Sequence, residues 1–409
     1  MKQNTTYKQT ELGLIPEDWE VKKFNKFSKF YSGGTPLTSK SEYYGGEIPF
    51  IKSGEIYYDR TEQFLTQEGL NNSSAKLVYR GDLLYALYGA NSGEVAISQL
   101  EGAINQAILC IQQNKDEAET IYLYNYLKLE KSNIINKFLQ GGQGNLSADI
   151  IKNLQIPLPP LPEQKKIADC LSTWDNAIEK QSQLIELHTQ RKKALMQKLL
   201  TGKKRLPGFS GEWKEVKLGD LFEKINRKNE EGNTNVVTIS AQRGFVKQTD
   251  FFNKSVASET LDNYSLIYHG EFCYNKSYSN GYPLGATKRL IAFEKAVVTT
   301  LYICFKIKDQ KKSNGSFFEQ FFEANSLDRS LIKIAQEGGR AHGLLNVSLS
   351  DFFNIKIKLP PIEEQTAIAE ILAAADRELQ LQKEKLAQLQ AQKKGLMQVL
   401  LTGKKRLIN

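Results

Sequence analysis

Mostly apolar residues recur along two stretches of the chain at alternating steps of four and three. The first series is Ile167, Leu171, Trp174, Ile178, Gln181, Ile185, His188, Lys192, Leu195 and Leu199, and the second is Ile368, Leu372, Ala375, Leu379, Gln382, Leu386, Leu389, Lys393, Leu396 and Leu400. Ten positions at heptad spacing are typical of helices that pair as a coiled coil. We therefore predict helices over Glu163–Leu200 and over its copy. Each would be about 57 Å long at 1.5 Å per residue.

The two stretches are copies of one another. A shift of 201 residues aligns Pro157–Leu206 with Lys358–Leu407 without a gap, and 23 of the 50 positions are identical. Both copies begin with prolines, which a helix tolerates at its first turn, and both end with Thr-Gly, where glycine can cap a helix. We interpret the polar seam positions as devices that fix register and partner choice. The alternative is that they are exposed ends of a shorter seam.

Weaker similarities connect the rest of the chain. Trp19 with Trp213, and Tyr79–Tyr85 with Tyr268–Tyr274, occupy matching places in two globular segments. In these segments we expect a strand over Ala103–Ile111 or Ala296–Phe305, and a helix over Ile121–Leu139 or Phe317–Ala335. The predicted order is a first domain (1–156), a helical segment (157–206), a second domain (207–358) and a second helical segment (359–409). The fold class is α+β, with two similar α/β domains.

Chain length decides the predicted topology. The first helix carries the chain from one domain to the other, and the second leaves that other domain with a matching apolar stripe, so the two can pair only if the second runs back. We expect an antiparallel coiled coil with a pseudo-two-fold internal repeat. Lys404–Arg406 should then return to the first domain. The basic clusters that end the helices can be read as cations at a helix C-terminus or as phosphate contacts.

Composition restricts the class of protein. The net charge of +9 and the pI near 9.0 favour polyanions as partners only weakly. No apolar run is long enough for a membrane span and the N-terminus has no hydrophobic signal core, so we expect a cytoplasmic protein. Four dispersed cysteines and three histidines give no metal-binding spacing. No GxxxxGK[ST] phosphate loop and no nucleophile–histidine pattern is present, which argues against an enzyme.

Two different domains joined by an internal repeat suit an asymmetric, split DNA site, because dimeric DNA readers place their modules on half-sites by two-fold symmetry. The chain resembles the specificity subunits of type I restriction-modification systems over its whole length. The resemblance is carried by Leu14–Trp19, Ile48–Ile56, the loop Gly142–Ser147 and the duplicated Leu-Pro-Pro-x-x-Glu-Gln and Leu-Leu-Thr-Gly segments. The second copy departs from this pattern, because Leu344-Leu345 replaces Gln143-Gly144.

The resemblance implies a non-catalytic subunit that binds double-stranded DNA through two target recognition domains. It also implies two methyltransferase (modification) subunits docked on the helices, with restriction or translocase subunits joining them and no membrane partner. The chain itself would bind no cofactor, since S-adenosylmethionine, ATP and Mg²⁺ belong to the partner subunits. The seam residues that we expect to form the coiled coil and the partner contacts are Ile167, Leu171, Ile178, Ile185, Leu195, Leu199, Ile368, Leu372, Leu379, Leu386, Leu396 and Leu400.

Side-chain chemistry selects the DNA-binding candidates. Arg or Lys suits guanine, Asn or Gln suits adenine, and Lys, Ser and Tyr suit phosphates. In the loops of the first domain the candidates are Lys52, Lys76, Arg80, Tyr88, Asn91, Gln143 and Asn145. In the second they are Gln242, Arg243, Lys276, Tyr278, Asn280, Lys288, Arg289 and Arg340. The competing interpretation of each is a solvated loop residue.

Two other functions compete with DNA recognition. A duplicated coiled-coil scaffold that binds only proteins explains the heptads but not the divergent, Lys-, Arg- and Asn-rich loops. A fragment of a single-chain restriction enzyme is a further alternative. If the helices act as a spacer, one added heptad in both should lengthen them by about 10.5 Å and widen the preferred gap by about 3 base pairs.

Overall fold

A computed structural model of the chain describes residues 6–138, 145–252, 260–335 and 345–407. The chain divides into two compact units, unit 1 (Met1–Ser182 with Glu384–Asn409) and unit 2 (Gln183–Lys383). Each unit contains one mixed α/β domain and segments of both long helices. The architecture is therefore a mixed α/β fold with two repeated domains.

Unit 1 is built on two four-stranded sheets. Its strands are β1 (Tyr7–Thr10), β2 (Gly13–Pro16), β3 (Glu20–Lys23), β4 (Ser28–Ser32), β5 (Tyr44–Ile51), β6 (Phe64–Leu65), β7 (Lys76–Val78), β8 (Leu83–Ala86), β9 (Val95–Ile97), β10 (Gly102–Ile104), β11 (Ile108–Gln113) and β12 (Gln155–Leu158). Helices α1 (Gln67–Asn71), α2 (Thr120–Phe138), α3 (Ala148–Lys152) and α4 (Leu161–Leu199) alternate with them. The sheet orders are β6-β5-β10-β7 and β4-β11-β8-β9, with β12 on β3 and β1 on β2.

Unit 2 repeats part of this plan. Its strands are β13 (Lys214–Lys217), β14 (Phe222–Lys224), β15 (Val237–Ser240), β16 (Gly244–Lys247), β17 (Ser265–Tyr268), β18 (Phe272–Asn275), β19 (Ala286–Arg289), β20 (Lys295–Val298), β21 (Ile303–Ile307) and β22 (Lys356–Leu359). Its helices are α5 (Leu218–Leu221), α6 (Gln248–Phe252), α7 (Gly315–Glu323), α8 (Asp328–Ile334), α9 (Leu349–Asn354) and α10 (Ile362–Leu400). The sheet β14-β21-β18-β19 corresponds to β4-β11-β8-β9, and β13 on β22 corresponds to β3 on β12.

Three predicted elements are each split into two. The single strand expected over Ala103–Ile111 is β10 and β11, which belong to different sheets, and β20 and β21 divide the second copy in the same way. The expected helix over Phe317–Ala335 is α7 and α8, separated at Asn325, whose φ is 54°. Apolar content alone does not reveal these breaks, because a turn needs only one polar side chain that satisfies the backbone.

The two long helices are present nearly where the heptads predict them. In unit 1, Ile167 and Leu171 of α4 share a core with Met397 and Leu400 of α10. In unit 2, Leu199 shares a core with residues from the first turns of α10. Early residues of one helix thus meet late residues of the other, so the paired segments within each unit run in opposite directions. None of the twelve predicted seam residues is exposed.

The duplicated octapeptide LLTGKKRL supplies the same salt bridge in each unit. In unit 1 the Arg406 guanidinium binds the Glu163 carboxylate through Nε (2.7 Å) and Nη2 (2.6 Å), and Trp19 Nε1 donates to Glu163 Oε2 at 3.2 Å. In unit 2, Arg205 binds Glu364 through two contacts of 2.7 Å, and Trp213 Nε1 donates at 3.1 Å. Both carboxylates are almost fully buried. The arginine of each cluster is therefore neither a free helix-end cation nor a free phosphate ligand.

The Arg406 salt bridge has an additional partner. Arg406 also contacts Asp18 at 2.9 and 2.7 Å, and the hydrogen bond from Arg406 holds the pKa of the Asp18 carboxyl below its usual range. The C-terminal basic segment thus lies against the N-terminal domain, as we expect from the lengths of the two helices.

The glutamine of each Glu-Gln pair fixes the start of its helix. Gln164 Nε2 donates to the carbonyls of Glu117 (2.9 Å) and Pro159 (2.8 Å), and its Oε1 accepts from Glu119 N. Gln365 repeats these bonds with Lys312, Pro360 and Asn314. Since both glutamines are fully buried, these bonds tie each long helix rigidly to the domain beside it.

The matched lysines on the seam also have matched partners. Lys393 pairs with Asp175 in unit 1, and Lys192 pairs with Asp376 in unit 2. Asp175 and Asp376 are themselves 201 residues apart. Burial lowers the pKa of Lys393, although the bond with Asp175 opposes the shift. The two seam lysines are therefore largely buried and paired with half-exposed aspartates, which favours a paired seam over exposed helix ends at these positions.

Candidate nucleic-acid interface

Several strands of unit 1 end at one edge of its two sheets. β5 and β10 are parallel, with Ile51 opposite Ile104, and β7 begins with Lys76 opposite Ile104. Lys52 follows β5 directly, so both lysines lie at this edge, two strands or roughly 10 Å apart. In the other sheet, Ile108 at the start of β11 faces Ala86 at the end of β8, which places Tyr88 at the same edge.

Two further candidates join this edge. Asn91 lies in the turn after β8. Two backbone hydrogen bonds close this turn, one from Gly93 N to Ala86 O (2.9 Å) and one from Glu94 N to Asn91 O (3.0 Å). Asn145 Oδ1 accepts from Gly89 N at 3.4 Å, so it contacts that turn. We call Lys52, Lys76, Tyr88, Asn91 and Asn145 edge surface 1. Asn91 is half-buried and the other four are exposed.

Glu94 holds two loops of this edge together, a role that the sequence analysis missed. Its carboxylate accepts hydrogen bonds from Tyr57 Oη and Lys131 Nζ. Burial opposes ionisation, but these two bonds hold the pKa of Glu94 below its usual value. Tyr57 belongs to the loop that Lys52 begins, so the carboxylate connects that loop to the turn containing Asn91. No local spacing in the sequence indicates this contact.

Arg80 lies at the opposite edge of the sheets. It is in the turn that precedes β8, where Tyr79 N donates to Asp82 Oδ2 (2.9 Å) and Gly81 N donates to Ser98 O (2.9 Å). Tyr88 follows the other end of β8. The structure therefore separates Arg80 from the other described candidates of unit 1, although Arg80 is exposed.

Unit 2 has an equivalent edge. Lys276, Tyr278 and Asn280 follow the end of β18, which corresponds to β8. Gln242 Nε2 donates to Asn280 O at 3.0 Å, which brings the β15–β16 turn to the same place. Arg243 is next in that turn, with its guanidinium 6.0 Å from the centre of the Phe251 ring. We call Gln242, Arg243, Lys276, Tyr278 and Asn280 edge surface 2, in which Lys276 is half-buried and the other four are exposed.

The remaining candidates of unit 2 are engaged within the domain or lie outside the described residues. Lys288 is 9% exposed and pairs with Glu323 and Tyr282. Arg289 lies opposite Phe272, at the far end of β18, and contacts Gly270 O (3.3 Å) and Glu319 (3.5 Å). This placement favours structural roles for both. Arg340, and Gln143 among the candidates of unit 1, lie outside the described residues.

Cys110 and Cys273 are buried thiols, and one described histidine lies beside a carboxylate. Burial raises the pKa of the Cys110 thiol to about 12, and burial likewise raises the pKa of Cys273 far above its usual value. His188 Nδ1 lies 3.5 Å from Glu378 between α4 and α10. Within residues 6–138, 145–252, 260–335 and 345–407, no three His, Cys, Asp or Glu side chains are grouped to hold a metal ion. Across the same described ranges, no helix has both the length and the apolar content to cross a membrane.

Two repeated α/β domains with polar loops at corresponding edges are what a two-module recognition protein requires. The family model for the type I restriction modification DNA specificity domain matches residues 16–188 and again residues 210–391. The chain therefore belongs to this family, whose members are the specificity subunits of type I restriction-modification systems.

Known relatives align with nearly the full length of this chain. The type I restriction enzyme MjaVIII specificity subunit of Methanocaldococcus jannaschii is 27% identical over 432 aligned residues, which cover 97% of this chain and 95% of that protein. The S subunit of a type I restriction-modification system from M. genitalium has a similar fold, with a TM-score of 0.55, 16% identity and coverage of 98% and 97%. A further chain, from work on complex assembly and conformational transition of a type I R-M system, gives a TM-score of 0.56 at 16% identity, with coverage of 96% and 99%.

Proposed function

We propose that this chain determines the DNA sequence specificity of a type I restriction-modification complex, with each domain binding one half of a bipartite, asymmetric site. The observation that carries the proposal is that the two repeat-related domains place Lys, Arg, Asn, Gln and Tyr side chains, most of them exposed, at corresponding edges. Lysines suit phosphates, and carboxamides suit base edges. Because the two edges carry different residues, the two half-sites should differ in sequence.

The long helices have two proposed roles. As an antiparallel coiled coil related by a pseudo-two-fold repeat, they would set the gap between half-sites, and they would dock two modification subunits. The first role is supported by the matched Arg–Glu and Lys–Asp pairs, which fix the helix register within each unit. The second is supported by Leu187 and Leu381, apolar side chains of α4 and α10 that are 61% and 64% exposed. S-adenosylmethionine, ATP and Mg²⁺ would be bound by partner subunits, and restriction subunits would join the assembly.

A binding experiment tests DNA recognition. The full chain, purified with its modification subunits, is titrated with a mixed-sequence duplex at several salt concentrations. The double variant Lys52→Ala/Lys76→Ala should lower the dependence of log K on log salt by about 0.9 for each phosphate that the lysines no longer neutralise. Arg80→Ala is the matched control, since it removes an exposed cation from the opposite edge and should leave the slope unchanged. A slope that is equal in all three proteins would refute edge surface 1 as the interface.

Sequence recognition is tested by mapping methylated adenines. Cells that express the chain with its modification subunits should methylate one split motif. Asn91→Ala should relax only one half of the motif, and Asn280→Ala only the other half, with discrimination at the affected base reduced by about 1–3 kcal/mol. If methylation requires no defined sequence, or if the chain assembles with proteins but never alters DNA recognition, a scaffold role would replace this proposal.

A further inference from the structure

The short turn between β10 and β11, residues Asn105–Ala107, occupies the centre of edge surface 1. β10 belongs to the sheet that carries Lys52, and β11 belongs to the sheet that β8 extends toward Tyr88. Leu87 N donates to Ala107 O at 2.8 Å, so the turn is bonded to the segment that leads into Tyr88. The turn therefore lies between the lysine and tyrosine sides of the surface.

Unit 2 has a turn of the same construction at the same place. In unit 1, Ala107 N donates to Asn105 Oδ1 (3.1 Å) and Ile108 N donates to Asn105 O (3.3 Å). In unit 2, Leu301 N donates to Thr299 Oγ1 (3.4 Å) and Tyr302 N donates to Thr299 O (3.3 Å). Because the first residue of each turn satisfies the backbone, the next two side chains can vary without altering the backbone. They do vary, being Gln106-Ala107 in one domain and Thr300-Leu301 in the other.

Gln106 is exposed, and one neighbour orients its carboxamide. Thr35 Oγ1 donates to Gln106 Oε1 at 2.7 Å. The segment that carries Thr35 packs closely beside the turn. A Cβ added to Gly33 would lie only 1.7 Å from the carbonyl oxygen of Ile104, the residue before the turn. With Oε1 engaged, the amide NH₂ is the group left to face a ligand. The major groove offers this NH₂ group the acceptors O6 and N7 of guanine, N7 of adenine and O4 of thymine.

The corresponding turn of unit 2 presents apolar surface instead. Leu301 is 57% exposed and follows Thr300, which is also exposed. The apolar group that base edges offer in the major groove is the thymine methyl, which aliphatic side chains contact. A base contact would thus cover surface that the fold itself leaves in water.

We propose that these two turns determine base specificity, one in each half-site: Gln106 as a hydrogen-bond donor positioned by Thr35, and Leu301 as an apolar contact for a thymine methyl. This inference rests on the proposed function and adds residues that side-chain chemistry in the sequence did not select. Thr35 is a positioning residue, because it acts through Gln106.

The test uses the full chain with its modification subunits and a library of duplexes with randomised sequence, sequenced after several rounds of selection. Gln106→Ala should reduce the preference for one base in a single half-site by about 10-fold, and Leu301→Ala should do the same in the other half-site only. Thr35→Val should weaken the same preference as Gln106→Ala, while Thr35→Ser, which keeps the hydroxyl, should retain it. Thermal unfolding of each variant shows that folding is intact.

Gln99→Ala is the matched control, because Gln99 is an exposed glutamine in the loop between β9 and β10, at the opposite edge of unit 1. Its selected motif should equal that of the wild type. Unchanged motifs in Gln106→Ala and Leu301→Ala, beside a wild type that selects a bipartite sequence, would overturn this inference and leave the proposed function standing. If the wild type enriches no sequence at all, the proposed function fails, and the turns lose their role with it.

Discussion

Replacement of Arg406 by Met should be among the most destabilising single changes in unit 1. The guanidinium is 8% exposed and makes two contacts of 2.6–2.7 Å with Glu163, whose side chain is 2% exposed. Removing one partner of a buried ion pair leaves a desolvated charge without compensation, at a cost of about 3–5 kcal/mol. The remaining donors to Glu163, Trp19 Nε1 and Leu407 N at 3.3 Å, carry no charge.

The repeat provides a matched comparison. Arg205 makes the equivalent bidentate contact with Glu364, but its side chain is 27% exposed, and the residue that matches Asp18 is not among its acceptors. Since water reaches this guanidinium, Arg205→Met should cost less than Arg406→Met. The ranking of the two variants therefore tests burial as the cause rather than the removal of a positive charge.

Urea unfolding, with hydrogen exchange to separate the two units, measures both costs. The double variant Glu163→Gln/Arg406→Met should recover most of the stability that Arg406→Met removes, because no buried charge is then left unpaired. An Arg406→Met protein within about 1 kcal/mol of the wild type, or equal costs for Arg406→Met and Arg205→Met, would refute this reasoning.

Three further changes have definite expected outcomes. Gly395 lies inside α10, no atom lies within 4 Å of a Cβ added there, and the matching residue in the other copy is Ala194. Gly395→Ala should therefore raise the free energy of unfolding by about 1 kcal/mol, and an unchanged denaturation midpoint would contradict this. Gly33→Ala should cost about 1–3 kcal/mol because its Cβ meets Ile104 O, whereas Gly54→Ala, whose Cβ would contact only Asn91 Nδ2 at 3.5 Å, should unfold like the wild type. Burial raises the pKa of Glu119 above its value in the unfolded chain, so ionisation of Glu119 destabilises the fold as the pH rises past the unfolded pKa. Glu119→Gln should therefore raise the free energy of unfolding at pH 7 and change it little at pH 4. An equal increase at both pH values would exclude the charge as the cause.

Local periodicity and internal duplication are enough to predict part of this fold from the sequence. Heptad spacing predicted both long helices, and the 201-residue repeat predicted two related domains and the return of Arg406 to the first of them. These inferences need only the rule that side chains three and four apart share a helix face, together with the length of the chain.

The pairing of distant side chains, in contrast, is visible only in the three-dimensional structure. The acidic partners of Arg406, Arg205, Lys393 and Lys192 lie 159–388 positions away along the chain. No local pattern marks a distant acidic residue as the one that accepts such a cation. Chemistry in the sequence selected Arg80 and Lys52 alike, yet the strand order places them at opposite edges. The same order divided the apparent strand Ala103–Ile111 at Asn105 and brought Gln106 between the candidate loops. The chemical type of a side chain can be read from its own position in the sequence. Its exposure and its neighbours depend on how strands from distant segments pair.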